Sequence, residues 1–121
     1  MKEPAIRPLI GIVGPCGSGK STLTSALDSL GYQTRHIAQE HSYVKDMWKR
    51  LTNPDLLIFL QVSYAVSQQR RPMNWTEADF NEQQHRLSHA REHADFYLDT
   101  DNLGVKEVLE QVLAFVKANS P

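Results

Sequence analysis

A glycine-rich segment between an apolar run and an amphipathic stretch constrains this chain more than any other feature. The apolar run is Leu9–Val13, and the segment after it reads Gly14-Pro15-Cys16-Gly17-Ser18-Gly19-Lys20-Ser21. Beyond the segment, apolar residues recur at i, i+3, i+4 and i+7, which is typical of one face of a helix. They are Leu23, Ala26, Leu27 and Leu30, and Gly31 follows as a left-handed stop. The pattern predicts a buried strand, a tight turn and a helix over residues 19–30.

The composition of the glycine-rich segment suits an anion-binding loop. Its three glycines leave room for the backbone to curl around phosphate oxygens, and the amides at a helix start attract an anion. Lys20 adds a positive charge for the β- and γ-phosphates, and the Ser21 hydroxyl has the reach to ligate Mg²⁺. Thr22 is placed to contact an α-phosphate. A strand-to-helix turn without a ligand is the alternative, but the eight-residue pattern in this setting favours a nucleoside triphosphate, MgATP above all.

The rest of the chain continues to alternate between strand-like and helix-like patterns. We predict further strands at residues 33–38, 56–62 and 96–98, and further helices at residues 42–53, 63–71, 76–93 and 105–116. The segment 56–62 is apolar on both faces, as in a central parallel strand that helices cover on each side. The order predicts an α/β fold with three α/β/α layers and a small, mostly parallel sheet of about four strands.

Composition and charge restrict the possible partners. The 121 residues suit a single domain, with a flexible leader over residues 1–8. Thirteen basic and fourteen acidic residues give a net charge of −1, so we expect neither nucleic acid nor an anionic membrane surface as a partner. Cys16 is the only cysteine, and no apolar run approaches the ~20 residues needed to cross a bilayer. A reducing cytoplasm is the expected location.

In this setting the loop resembles the phosphate-binding-loop (P-loop) nucleoside triphosphatases, and within them the nucleotide-kinase-like small phosphotransferases. Residues 54–63, followed by Arg70 and Arg71, are similar to the strand and the start of the arginine-bearing lid in nucleoside, nucleotide and dephospho-coenzyme A kinases. Residues 93–101 are similar to their last strand, whose following turn lies near the adenine. The resemblance implies a P-loop fold, a lid-like helical region at residues 63–94 and a position for Asp101 close to the base.

The resemblance also implies catalytic roles. Lid arginines in such kinases neutralise charge on the transferring phosphoryl group, which makes Arg70, Arg71 and Arg86 candidates. The alternative for each is a solvated helix charge. Glu40 follows the strand predicted at residues 33–38, and it would lie near Lys20 and the metal if that strand neighbours the first one. There it could hold a magnesium-bound water or act as a base; otherwise it is a surface carboxylate at a helix start.

A short middle segment leaves two functions open. Typical members of the group carry another strand and an acceptor-binding segment before the lid, whereas only about twenty residues separate Gln33 from Pro54 here. One hypothesis is a small ATP-dependent kinase that transfers the γ-phosphoryl group to a nucleoside, a nucleotide or another small metabolite. The other is a nucleotide-binding sensor or adaptor with little turnover. A switch GTPase is disfavoured because the chain has no Asn-Lys-x-Asp motif. The acceptor and the oligomeric state stay open.

Three histidines share a spacing of four residues. His85, His89 and His93 lie at i, i+4 and i+8, so neighbouring pairs could chelate a transition metal on one helical face. All three together span about 12 Å along the axis, too far for one ion. A solvated face or an interface is the favoured interpretation.

Overall fold

Strands and helices alternate along the chain in the computed structural model, which describes residues 8–72 and 74–119. Within those residues the four strands are β1 (Leu9–Val13), β2 (Gln33–His36), β3 (Leu56–Gln61) and β4 (Phe96–Asp99). The five α-helices are α1 (Lys20–Ser29), α2 (Tyr64–Arg70), α3 (Glu77–Arg86), α4 (Ser88–His93) and α5 (Val105–Ala118). The predicted leader falls outside the described residues, apart from Pro8.

The four strands form one parallel sheet in the order β2-β1-β3-β4. Ile12 of β1 lies opposite His36 of β2 on one side and Ile58 of β3 on the other. Because the strands are parallel, their carboxyl ends meet at one edge of the sheet, and the loops that follow them are brought together there. The predicted α/β class and the four-stranded parallel sheet are confirmed.

Helices cover the sheet on both faces. On one face, α1 and α5 bury a cluster whose members include Leu27 and Val112, both fully buried. On the other face, Leu87 and Ala90 pack with Trp48 against the sheet. Each large apolar side chain buried in this way contributes about 1.5–3 kcal/mol. The two clusters are consistent with the expected three layers.

Alternate residues of β3 explain why its sequence is apolar without interruption. Within β3, Ile58 and Leu60 belong to the cluster on one face of the sheet, and Leu57 and Phe59 belong to the cluster on the other face. Successive side chains of a strand point to opposite faces, so a strand covered on both sides needs apolar residues at every position. The strand predicted from this run is therefore confirmed, with its end at Gln61.

The prediction of a helix at residues 42–53 is wrong. The structure has a 3₁₀ turn at Gln39–His41 and a π-helical turn at Trp48–Thr52. The buried Gln39 side chain binds the backbone between them, since Gln39 Nε2 donates to Val44 O at 2.8 Å and Trp48 N donates to Gln39 Oε1 at 2.8 Å. These bonds replace those of a regular helix. Of the four residues that suggested a helical face, Trp48 is buried, whereas Leu51 is 80% exposed.

The helix predicted at residues 76–93 is divided at Leu87 into α3 and α4. The hydroxyl of Ser88 donates to His85 O at 2.8 Å, a side-chain bond that competes with the backbone ladder and commonly bends a helix. Leu87 at the break is fully buried. The apolar face inferred from Phe80, Leu87 and Ala90 is confirmed by their burial.

Across the described part of the chain, no helix combines the length and the apolar character that a membrane crossing requires. The longest is α5, with 14 residues.

Candidate functional site

The glycine-rich loop links the carboxyl end of β1 to the start of α1, at the edge where the strand ends converge. Gly17 and Gly19 have φ angles of 83° and 100°, in the left-handed region that L-residues with side chains avoid. A Cβ atom at Gly14 would collide with the carbonyl oxygen of Leu60. The glycines therefore serve two purposes: two of them allow the turn, and one allows β3 to approach the loop.

Free amides surround the start of α1. Five residues in this loop and in the first turn of α1 have main-chain N–H groups that make no hydrogen bond within residues 8–72 and 74–119. These residues are Gly17, Gly19, Lys20, Ser21 and Thr22. The N-cap residue Gly19 has no side chain to satisfy them. Unpaired amides at the positive end of a helix dipole attract an anion, so the loop offers hydrogen-bond donors to anionic oxygens such as those of phosphate.

Lys20 and Glu40 form a buried ion pair in front of the loop. Lys20 Nζ lies 2.7 Å from Glu40 Oε2, and it also donates to the carbonyl oxygens of Gly14 at 2.6 Å and Pro15 at 3.2 Å. Lys20 is 5% exposed and Glu40 is 3% exposed. Glu40 is therefore not a surface carboxylate: β2 lies beside β1, and the turn after β2 brings Glu40 to the lysine.

The second oxygen of Glu40 lacks a partner. Glu40 Oε1 is buried and makes no hydrogen bond with any residue that the structure describes. A buried charged group is stabilised only when its lone pairs are satisfied, so an unpaired oxygen here marks a position where a further group would bind. A metal-bound water or a cation fits this oxygen by its chemistry.

His36, at the end of β2, lies next to the ion pair and lines the same cavity. Its pKa is lowered from the ordinary value of 6.5, first by desolvation in the cavity wall and then by the positive charge of Lys20, whereas Glu40 opposes the shift. His36 is therefore neutral at pH 7 and adds no charge to the site.

A cavity of about 700 Å³ extends from the loop along α1. At one end it is lined by Lys20, Ser21, Thr22 and Glu40. The other end is apolar and lies between α1 and α5, and its walls include Ala26, Leu103, Val105, Val108 and Leu109. A volume of this size is within the range of small-molecule binding sites, which measure roughly 300–1,000 Å³.

Two adjacent arginines at the end of α2 have different surroundings. The guanidinium of Arg70 donates to Gly17 O at 3.3 Å and to Thr100 Oγ1 at 2.9 Å, and it also binds the Thr100 carbonyl. Arg71 lines the cavity as well, and its guanidinium has no hydrogen bond or ion pair within the described segments. Arg70 thus joins α2 to the loop and to the turn after β4, whereas Arg71 is available to a ligand.

Arg86 and Asp101 lie outside the cavity. Arg86 Nη1 donates to the backbone carbonyl of Glu40 at 3.3 Å, and its guanidinium lies 4.4 Å from the centre of the Tyr43 ring. Asp101 Oδ1 accepts a hydrogen bond from Ser63 N at 2.8 Å. The structure therefore brings Arg70, Arg71 and Glu40 to the loop and holds Arg86 behind Glu40.

Two residues that contact the loop, Gln83 and Thr100, were not predicted from the sequence. Gln83 Oε1 accepts a bond from Cys16 N at 3.1 Å, and Gln83 Nε2 donates to Cys16 Sγ at 3.4 Å. Thr100 is 1% exposed, and its hydroxyl donates to Ser18 O at 3.1 Å. Only tertiary packing places these residues against the loop, and nothing in their local pattern distinguishes them from other polar residues.

His85, His89 and His93 have different surroundings. His89 Nδ1 accepts a hydrogen bond from Trp48 Nε1 at 3.1 Å, and the His89 and His93 rings stack with centroids 4.2 Å apart. His85 is exposed. The solvated-face interpretation holds for His85 but not for His89, which packs on the buried Trp48.

No model of a known protein family matches the chain, and no curated protein matches it either. The function must therefore be argued from the geometry of the loop and its cavity.

Proposed function

We propose that the chain has the P-loop fold and binds MgATP as a small phosphotransferase. The observation that carries the proposal is the convergence of Lys20 with five unpaired main-chain amides at the start of α1. Positive helix ends with free amides bind phosphate, and a lysine next to them supplies the charge that a polyphosphate needs. The cavity in front of them has room for a base and a ribose beyond the phosphates.

The phosphate end of the cavity offers a division of roles. The loop amides bind phosphate oxygens. When the nucleotide binds, Lys20 gives up its hydrogen bonds to Glu40 and to the loop carbonyls and contacts the β- and γ-phosphates instead. Ser21 and Glu40 would hold Mg²⁺, Ser21 through its hydroxyl and Glu40 through the unpaired Oε1, directly or by way of a water. The ion would neutralise charge on the phosphates. Both residues line the same wall, and both carry the hard oxygen donors that this ion prefers.

The apolar end of the cavity suits the flat face of a purine. It lies between α1 and α5, next to the turn that follows β4. Ala26 of α1 lines it from one side, and Leu103 and Val108 line it from the other. Asp101, proposed near the base, binds Ser63 in this structure, so Leu103 and Gly104 are the nearer candidates for base contacts.

Arg71 is the residue best placed to serve phosphoryl transfer. Arg71 lines the cavity and its guanidinium has no partner in the described segments, whereas Arg70 already binds Gly17 and Thr100. A mobile cation that meets the γ-phosphoryl group stabilises charge that develops during transfer. We assign this role to Arg71 and a positioning role to Arg70.

One observation favours the second function, a nucleotide sensor or adaptor. Between β2 and β3 the chain forms only the two short turns described above, and Tyr43 and Leu51 are 87% and 80% exposed. Exposed side chains in such short turns give an acceptor little enclosure next to the phosphate end. Turnover therefore depends on an acceptor that binds at an open face.

Titration calorimetry with MgATP tests the binding step. We expect Lys20→Ala to weaken binding by about 10- to 100-fold, because a hydrogen bond to a charged group contributes about 1.5–3 kcal/mol. Lys117→Ala, an exposed lysine at the end of α5, is the matched control and should bind as the wild type does. Equal binding by the Lys20 and Lys117 variants would refute the proposal.

Transfer is tested separately from binding. MgATP is incubated with the protein and with pools of nucleosides, nucleotides and small metabolites, and ³¹P NMR follows the phosphates. A new phosphomonoester or phosphoanhydride signal supports the kinase. Tight MgATP binding with no transfer and no hydrolysis supports the sensor instead.

A further inference from the structure

Three potential metal ligands meet beside the glycine-rich loop. Cys16, Glu40 and His41 each offer one ligand atom, and all three atoms lie within 4.8 Å of one another. Cys16 Sγ is 3.8 Å from His41 Nε2, and His41 Nε2 is 3.9 Å from Glu40 Oε2. The cluster joins two segments that are far apart in sequence, the loop after β1 and the turn after β2.

The distance between Cys16 and His41 is close to that between two ligands of a tetrahedral zinc site. Zinc bonds to sulfur at about 2.3 Å and to histidine nitrogen at about 2.0–2.1 Å, which places the two ligand atoms about 3.5 Å apart. The observed 3.8 Å between Cys16 Sγ and His41 Nε2 needs a shift of only a few tenths of an ångström. His41 is an exposed side chain and can make that shift.

The unpaired oxygen of Glu40 is independent evidence for a cation. Glu40 is 97% buried, its Oε1 has no hydrogen-bond partner in the described residues, and the residue lines the same cavity as Cys16 and His41. Lys20, the partner of Oε2, also binds two loop carbonyls, so it keeps acceptors if Glu40 turns toward a metal.

Helix α3 holds two of the three ligands in place from behind. Gln83 binds both the amide and the sulfur of Cys16, and Arg86 Nη1 donates to the carbonyl of Glu40. Groups that orient metal ligands in this way raise affinity because the ligands lose less freedom on binding.

We propose that Cys16, Glu40 and His41 form a binding site for a borderline divalent cation, Zn²⁺, with a fourth position open to the cavity. Sulfur and imidazole donors select zinc over Mg²⁺, which prefers oxygen alone. The bound ion ties the glycine-rich loop to the turn after β2. The site requires no nucleotide, but it shares Glu40 with the proposed Mg²⁺ site, so the two cations would compete for that carboxylate.

Cobalt and zinc titrations of the full chain without nucleotide test the site. Co²⁺ bound to a thiolate gives a sulfur-to-metal charge-transfer band in the near ultraviolet, and Cys16 is the chain's only cysteine. We expect one equivalent of Co²⁺ to produce this band and Zn²⁺ to remove it. Cys16→Ser should abolish the band. His41→Ala and Glu40→Gln should each weaken Zn²⁺ binding at least about tenfold, since even groups that only orient ligands contribute that much.

His85→Ala is the matched control, because His85 is exposed on α3 and distant in sequence from the cluster. It should bind Zn²⁺ as the wild type does. Circular dichroism of each variant shows whether the fold is retained, and the exposed His41 can be replaced without disturbing the core. Absence of the charge-transfer band, or zinc binding as tight in His41→Ala as in His85→Ala, overturns the proposal. Since MgATP calorimetry is a separate measurement, either proposal can fail without the other.

Discussion

The pairing of Lys20 with Glu40 determines the electrostatics of the site at the scale of single residues. A buried ion pair loses solvation and is stable only when hydrogen bonds satisfy its remaining groups. The lysine meets that condition through two loop carbonyls, whereas the glutamate keeps one oxygen unpaired. The lysine is therefore fully paired and the glutamate is not, as the proposed binding of a cation together with phosphate requires.

The pKa of His36 reports on this pair. Lys20 lowers the pKa of His36 and Glu40 raises it, so Lys20→Ala should raise the pKa of His36 and Glu40→Gln should lower it. NMR titration of the His36 ring protons measures both shifts, with the exposed His85 as an internal control. Shifts of the opposite sign would show that the two charges do not face His36.

The lowered pKa of His36 also determines whether its contribution to folding stability rises or falls with pH. The pKa of His36 is lower in the folded chain than its ordinary value of 6.5, so the unfolded chain binds the proton more readily. The contribution of His36 to folding is present above pH 6.5 and is lost as the pH falls below it. The effect is small because His36 is exposed to solvent.

Arg70, the last residue of α2, and Arg71, the residue after it, should respond differently to replacement. Arg71→Ala should reduce turnover at least about tenfold while MgATP affinity changes less, because a transition-state contact affects kcat more than binding. Arg70→Ala should lower the melting temperature, since it removes the bonds to Gly17 and Thr100. Arg91→Ala, an exposed arginine of α4, is the control for both. Equal losses of affinity and turnover in Arg71→Ala would contradict its assigned role.

At the scale of elements, α3 supports the site from outside the cavity. It carries Gln83, which binds the loop, and Arg86, which binds the turn of Glu40. A capping box begins the helix, in which Thr76 Oγ1 accepts from Asp79 N at 3.2 Å and Asp79 Oδ2 accepts from Thr76 N at 3.0 Å. Because α3 holds both segments, its stability bears on the geometry of the loop.

Thr76→Ala should lower the free energy of unfolding by about 1 kcal/mol, the usual cost of losing an N-cap side chain. Urea denaturation measures the change. Thr52→Ala is a suitable control because the Thr52 hydroxyl makes no hydrogen bond within residues 8–72 and 74–119. A Thr76 variant as stable as the control would show that the capping box contributes nothing to folding.

At the scale of the whole molecule, the parallel sheet brings the site together. The loops after β1, β2 and β4 follow strand ends at the same edge, and β1 lies between β2 and β3. The cavity is lined by residues from all three loops and from α1, α2 and α5. A ligand bound there would contact α1, α2, α5 and the three loops, and should stabilise the fold as a unit.

MgATP should therefore raise the melting temperature. At a ligand concentration of about 100 times Kd, binding adds about 2.7 kcal/mol, which corresponds to a shift on the order of 10 °C for a chain of this size. Differential scanning fluorimetry measures the shift, which should persist in Lys117→Ala and shrink in Lys20→Ala. A shift of equal size in Lys20→Ala would place the nucleotide elsewhere.

The sequence could predict whatever depends on local pattern. The strand, loop and helix around Lys20, the doubly apolar β3 and the amphipathic α5 all follow from spacing that a short segment carries by itself. The helix at residues 42–53 was predicted on the same grounds and is wrong, because the buried side chain of Gln39 binds the backbone that a helix would have used. No local pattern reveals such a competitor.

By itself, the sequence determined the alternation of strands and helices and the turn of the glycine-rich loop, since glycine spacing, apolar periodicity and caps act over a few residues. Tertiary structure alone decided which distant side chains meet that loop. Glu40 became the partner of Lys20 because β2 lies next to β1, and Arg70 and Arg71 took different surroundings because Thr100 reaches only one of them. Contacts between distant segments depend on how the sheet orders its strands, and that order is set by packing over the whole chain.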